Sequence, residues 1–199
     1  MADKPTHPVR LIAIGASTGG TEAIYQVLKG LTKPLPGIVI VQHIPEGFSR
    51  RFAERLNAQT RIVTKEAKTG DVIEPGHAYV APGDKHMVVK SVGDQFRLEC
   101  LTAERVNGHR PSVDVLFYSV AKTAGSHAMG VILTGMGHDG ARGLLAMRNS
   151  GAYTIGQDQA TSIVYGMPKA AFDIGAVQWQ VPLLEVSSKI ESYVTRTSQ

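Results

Sequence analysis

A serine becomes a nucleophile only in company: it needs a base within reach, a group that orients the base, and donors for the oxyanion. Ser17 is the residue best placed to found such a set. It lies in Gly15-Ala16-Ser17-Thr18-Gly19, a G-x-S-x-G pattern, after the apolar run Leu11 to Ile14 and before a helical pattern. Strand, turn and helix in that order expose a serine, and the flanking glycines let the backbone turn without Cβ clashes. A helix start also suits an anion, because it presents unpaired N–H groups and partial positive charge. A dinucleotide is disfavoured. The spacing is G-x-x-x-G-G, and the second apolar strand ends in Gln42-His43 where a ribose-binding acid is wanted.

The base has to come from another strand end. His43 follows the second strand, which in a doubly wound sheet lies beside the first, so both side chains open on one edge. His138, His86 and His109 compete, His138 most strongly, because it sits in the glycine-rich turn Thr134–Gly140 after another apolar run. Asp139 in that turn is the candidate orienting acid, and Asp158, after the next strand, is the alternative. Each has a plainer reading: a packing histidine for His43, a helix cap ahead of Ala141 for Asp139. Backbone N–H groups at Met136 and at the start of the first helix, Thr18 among them, could hold an oxyanion. Position alone leaves His43 and His138 both open.

These residues need a scaffold of alternating elements. Val9–Ile14 and Ile38–Val41 read as strands buried on both faces, and Ile24, Val27, Leu28 and Leu31 give the intervening helix one apolar stripe. A helix over Ser49–Asn57 and a short strand over Arg61–Thr64 follow. Between residues 70 and 101 short β-type runs alternate with turn signals, and Gly93-Asp94 joins two of them as a hairpin. The β/α pattern then resumes: a helix over Pro111–Thr123, a strand over Met129–Leu133, the helix Ala141–Asn149 and a strand over Tyr153–Ile155. A short helix over Pro168–Phe172, a strand over Val177–Val181 and a final helix close the series. The expected fold is α/β: a doubly wound, mostly parallel sheet with an antiparallel excursion around residues 70–101.

Composition narrows the function classes. The 199 residues suit one domain, and no apolar run reaches the roughly 18–20 residues of a membrane span. The polar N-terminus lacks a signal-peptide core, and the single cysteine, Cys100, leaves no internal disulfide; the cytoplasm is the expected location. The net charge of +4 comes from scattered residues, which argues against nucleic acid. One local cluster, Arg50, Arg51 and Arg55, lies on the helix after His43 with Glu54 among it. It reads either as a solvated face or as a patch that guides an acidic protein substrate to the site.

Six ordered blocks carry a resemblance: IGASTGG at 14–20, VIVQHIP at 39–45, YVAPGDKHM at 79–87, HRPSVDVLF at 109–117, ILTGMGHDGARGLLAM at 132–147 and GQDQATSIVYGMPKAA at 156–171. From about Val9 to Val194 the chain resembles the CheB-type protein-glutamate methylesterases of bacterial chemotaxis. The resemblance implies a triad of Ser17 as nucleophile, His43 as base and Asp139 as acid, with Met136 giving its backbone N–H to the oxyanion. It thereby selects His43 over His138. It implies hydrolysis of γ-glutamyl methyl esters on methyl-accepting chemotaxis receptors, with release of methanol, and extends to deamidation of receptor glutamines. It implies no metal and no cofactor. The family commonly carries an N-terminal receiver domain. None is expected in this chain, only a tail or linker remnant over 1–8 and the catalytic domain over 9–195, controlled by a receiver domain or response regulator elsewhere.

Overall fold

The computed structural model describes residues 7–196, so the tail expected over 1–8 lies outside the described residues for all but His7 and Pro8. Strand β1, Leu11–Ala16, forms the middle of the sheet, and every one of its residues is buried. Its pleat divides them between two cores: Ile12, Ile14 and Ala16 face one way, Leu11 and Ala13 the other. A strand buried on both faces has no room for alternating polar residues, which explains its unbroken apolar character.

Helix α1, Gly20–Gly30, follows and buries Ala23, Ile24, Val27 and Leu28. Strand β2 is Gly37–Gln42, α2 Phe48–Gln59, β3 Val63–Glu66 and β4 His77–Val80. Strands β5, His86–Val92, and β6, Gln95–Leu101, are an antiparallel pair outside the main sheet. After helix α3, Val113–Ala124, the chain adds strand β7, Ala128–Ile132, and helix α4, Ala141–Asn149. It ends with β8, Tyr153–Gln157, α5, Met167–Asp173, β9, Trp179–Val181, and α6, Leu183–Arg196.

Among these residues the main sheet has seven strands in the order β3-β4-β2-β1-β7-β8-β9. All of its pairings are parallel. Helices α1, α2 and α6 cover the face that holds Ile12 and Ile14; α3, α4 and α5 cover the other. The β5–β6 hairpin extends the second layer, where Met87, Val89 and Leu98 join the α3 core. The doubly wound sheet is as expected, with β3 two residues later than Arg61–Thr64, β9 starting at Trp179 instead of Val177, and α3 starting at Val113 instead of Pro111. Within the stretch 70–101, β4 is no excursion: it inserts between β2 and β3, with Ala78 and Val80 in one core and Tyr79 in the other. The antiparallel part is the β5–β6 hairpin, with an isolated antiparallel bridge from Val72 to Arg97 of β6.

Winding reverses between β1 and β7: β2 lies on one side of β1, and β7, β8 and β9 on the other. In such sheets the crevice at the strands' carboxyl ends is where ligands bind. Ser17, His43 and the Thr134–Gly140 turn all lie at that end, one after each of β1, β2 and β7.

Candidate active site

Ser17 takes the position after β1. Its N–H donates to Thr134 O at 3.0 Å, and His43 N–H donates to Ala16 O at 3.1 Å, so the serine stands between the ends of β7 and β2. Buried Gln42 adds a third tie, donating from Nε2 to Ser17 O at 2.8 Å. Gly19 has φ 79°, the left-handed conformation that starts α1 immediately after the turn. Gly135 is glycine for space: a Cβ there would lie 2.8 Å from Ser17 Cβ and 2.4 Å from Met167 Sδ.

His43 Nε2 and Asp139 Oδ2 are 2.6 Å apart. Asp139 is 1 % exposed, and its surroundings explain how a buried carboxylate survives. Oδ2 also accepts from Val113 N–H at 2.7 Å, while Oδ1 accepts from Ser112 Oγ at 2.8 Å, Asn107 Nδ2 at 2.8 Å and Asp114 N–H at 3.1 Å. The acid therefore sits under the N-terminus of α3, where free N–H groups and the helix dipole favour negative charge. Its expected plain role, capping α4, falls to Gly140 instead. Burial alone would push the Asp139 carboxyl up, but the hydrogen bonds from His43, Asn107, Val113 and Ser112 outweigh it and hold the group well below the usual carboxylate range.

With Nε2–H directed at Asp139, His43 Nδ1 is the nitrogen left to accept a proton. That atom is buried and has no hydrogen-bond partner among the described residues. Ser17 Oγ likewise makes no hydrogen bond among them, so serine and imidazole are not joined in this geometry. Met136 is 69 % exposed. Its N–H and that of Thr18 have no acceptor among the described residues, while Thr18 O is held by Thr134 Oγ1 at 3.0 Å.

The competing residues separate clearly. His138 is exposed on the same turn, its neighbour Asp139 being committed to His43. His86 is buried and structural, with Nε2 on Glu104 O at 2.8 Å and Nδ1 receiving Ser112 N–H at 3.2 Å. His109 stacks on His43 with ring centroids 3.6 Å apart and 10° between planes. Burial first, then the His43 ring, pushes the His109 imidazole below its ordinary value. Asp158 closes its own loop by accepting from Thr161 N–H and Oγ1 at 3.0 and 2.5 Å.

A cleft of about 520 Å³ opens beside His43, lined by Ile44, Pro45, Glu46, Arg105, His109 and Arg110 among others. None of Arg50, Arg51 and Arg55 lines it. Arg50 is held by Glu54 at 3.0 Å; Arg55 reaches away to Glu22 at 2.9 Å and lies over the Tyr25 ring. Arg51 is exposed on α2. The cleft's own cations are Arg110, bound to Asp84 Oδ1 at 2.7 Å, and the more exposed Arg105.

Residues 12–190 match the family profile described as CheB methylesterase. The chain belongs to this family. A protein-glutamate methylesterase/protein-glutamine glutaminase of Sulfurimonas denitrificans is 54% identical over 186 residues, covering 94% of this chain and 53% of that protein. One from Salmonella typhi is 55% identical over 181 residues, 91% of this chain and 52% of its own length. The chain thus spans about half the length of the curated relatives it matches. The crystal structure of the Thermotoga maritima CheB methylesterase catalytic domain superposes with a TM-score of 0.90 at 32% identity, covering 92% of this chain and 98% of that one.

The CheB-type site has supports that the sequence did not disclose. Ser112, expected inside a helix over Pro111–Thr123, is instead the N-cap of α3, accepting Val115 N–H at 3.4 Å, and its hydroxyl also donates to Asp139. Asn107 carries no signal in the sequence reading, and Gln42 only that of a strand end. No helix among the described residues is long and apolar enough to cross a membrane, and no group of three metal-ligating side chains occurs among them.

Proposed function

We propose that this chain is a serine hydrolase that removes methyl groups from γ-glutamyl methyl esters on the cytoplasmic helices of chemotaxis receptors. The observation that carries the reading is the buried His43–Asp139 pair beside Ser17, at the carboxyl ends of β1, β2 and β7, in a member of the CheB methylesterase family. Ser17 Oγ attacks the ester carbonyl while His43 Nδ1 takes its proton. The N–H groups of Met136 and Thr18 face the oxyanion. The tetrahedral intermediate collapses, His43 returns the proton to the methoxide, and methanol leaves. Water, deprotonated by the same imidazole, then cleaves the glutamyl–Ser17 ester and restores the hydroxyl. Asp139 stays ionised throughout, fixing the tautomer with hydrogen on Nε2 and stabilising the imidazolium. The separation of Ser17 from His43 fits this scheme, because such contacts commonly tighten only in the complex with substrate.

The names of the relatives support a second use of the same site, on glutamine side chains, with ammonia as the leaving group. We read residues 9–195 as the catalytic unit, working in the cytoplasm under a receiver domain or response regulator. Arg51, the member of its cluster without a carboxylate partner among the described residues, is the one of the three left to meet an acidic receptor surface. The test is methanol release from a methylated receptor: the chain should release it and folded Ser17→Ala should not. Equal release by the alanine variant would refute the reading.

A further inference from the structure

The segment between β6 and α3 narrows to a tight turn. Val106 N–H donates to His109 O at 3.0 Å and His109 N–H to Val106 O at 2.9 Å. The two central residues, Asn107 and Gly108, have φ 53° and 79°. Positive φ at both positions is the signature of a type I′ turn, which favours Asn-Gly for conformational reasons alone. Yet the turn also touches both members of the pair at the site. His109 stacks on His43, and the Asn107 amide reaches inward although the residue itself is exposed.

That amide has two hydrogens and two buried acceptors. Nδ2 donates to Asp139 Oδ1 at 2.8 Å and to Asp114 Oδ2 at 2.7 Å. Asp114 is itself 4 % exposed, and its other oxygen accepts Gly143 N–H at 2.7 Å. Two buried carboxylates thus share one neutral donor. With the amide on Oδ1, the Asp139 carboxylate is held in the orientation that aims Oδ2 at His43.

We propose that Asn107 is a positioning residue for the His43–Asp139 pair, acting through its side-chain amide, which bridges Asp139 and Asp114. This role rests on the reading of Ser17, His43 and Asp139 as a catalytic triad. It competes with a simpler one, in which Asn107 is present only because the turn needs a left-handed residue.

Two variants separate these roles. Asn107→Gly keeps the left-handed backbone and deletes the amide; Asn107→Asp keeps the side-chain shape and puts a third carboxylate where two already meet. The expected result for the glycine variant is a fall in kcat of about 10–100-fold with KM within twofold, the scale for a misplaced supporting group. The aspartate variant should lose more. A second readout needs no activity: the downfield proton resonance of His43 Nε2–H, sharp in the parent, should broaden or vanish in both variants. Parent kcat in Asn107→Gly, or an unchanged Nε2–H resonance, would overturn the proposal and leave Asn107 a turn residue. If the parent protein releases no methanol, the hydrolase reading falls, and the Nε2–H resonance still decides whether the amide holds the pair.

Discussion

Replacing Asp139 by Asn changes one oxygen to NH₂ and nothing in size, so its effects follow from the five donors around it. Two face Oδ2, from His43 and Val113; three face Oδ1, from Ser112, Asn107 and Asp114. Whichever way the amide is turned, at least two charge-assisted N–H hydrogen bonds are lost, His43 answering an NH₂ on its side by taking the other tautomer. At about 1.5–3 kcal/mol for each hydrogen bond to a charged group, the loss is roughly 3–6 kcal/mol. Asp114 returns part of it. Burial first, and Asp139's charge further down, push the Asp114 carboxyl up, and the exchange removes that charge. A net loss of about 2–4 kcal/mol remains at pH 7. The pH dependence has a definite sign. Asp139 is held below the usual carboxylate range, so its contribution is complete above the unfolded value of about 3.9 and is lost as pH falls from there through the folded value. Urea unfolding should therefore give a gap between parent and Asp139→Asn that is about 1 kcal/mol narrower at pH 3 than at pH 7. In a serine triad the same exchange lowers kcat by about 10⁴ through the wrong imidazole tautomer, and methanol release should fall on that scale. No gap at pH 7, or the same gap at both pH values, would refute the account of how Asp139 is held.

Gly135→Ala forces a Cβ to within 2.4 Å of Met167 Sδ and 2.8 Å of Ser17 Cβ. It should cost about 1–3 kcal/mol in chemical denaturation and lower kcat by displacing the serine. Ser112→Ala removes both an N-cap acceptor and an Asp139 donor, and should cost about 1–2 kcal/mol by the same measurement. Charge reversal at Arg105, in the cleft, should raise KM for receptor in a salt-dependent way with kcat kept, and by more than reversal at Arg51 on α2. Steady-state kinetics at two ionic strengths decide between the two arginines.

What was legible in the sequence was what local pattern determines. The apolar run of β1 and the glycines around Ser17 are properties of a few adjacent residues, and the strand-end positions of His43 and Asp139 follow from counting β/α units. The placement of β4 depends on partners far along the chain, since His77–Val80 has the composition of its excursion-like neighbours and shows its place only by pairing with β2 and β3. Asp139 stands in the turn ahead of α4, yet four of its five donors come from residues 107–114, 25 or more positions away, and the fifth is His43. No periodicity reports such a contact. Arg50 and Arg55 read as a solvated face or a guiding patch; Glu54, within the cluster, takes up Arg50, and Glu22, on another helix and so out of reach of local pattern, takes up Arg55.

On the proposed mechanism Ser17 is a nucleophile because His43 and Asp139 make it one. Labelling with a fluorophosphonate, followed by mass spectrometry of the peptides, measures this without a receptor. One adduct is expected, on Ser17, absent in Ser17→Ala and formed far more slowly in His43→Ala and Asp139→Asn. An adduct on another residue, or a Ser17 adduct formed at the same rate without His43, would contradict it.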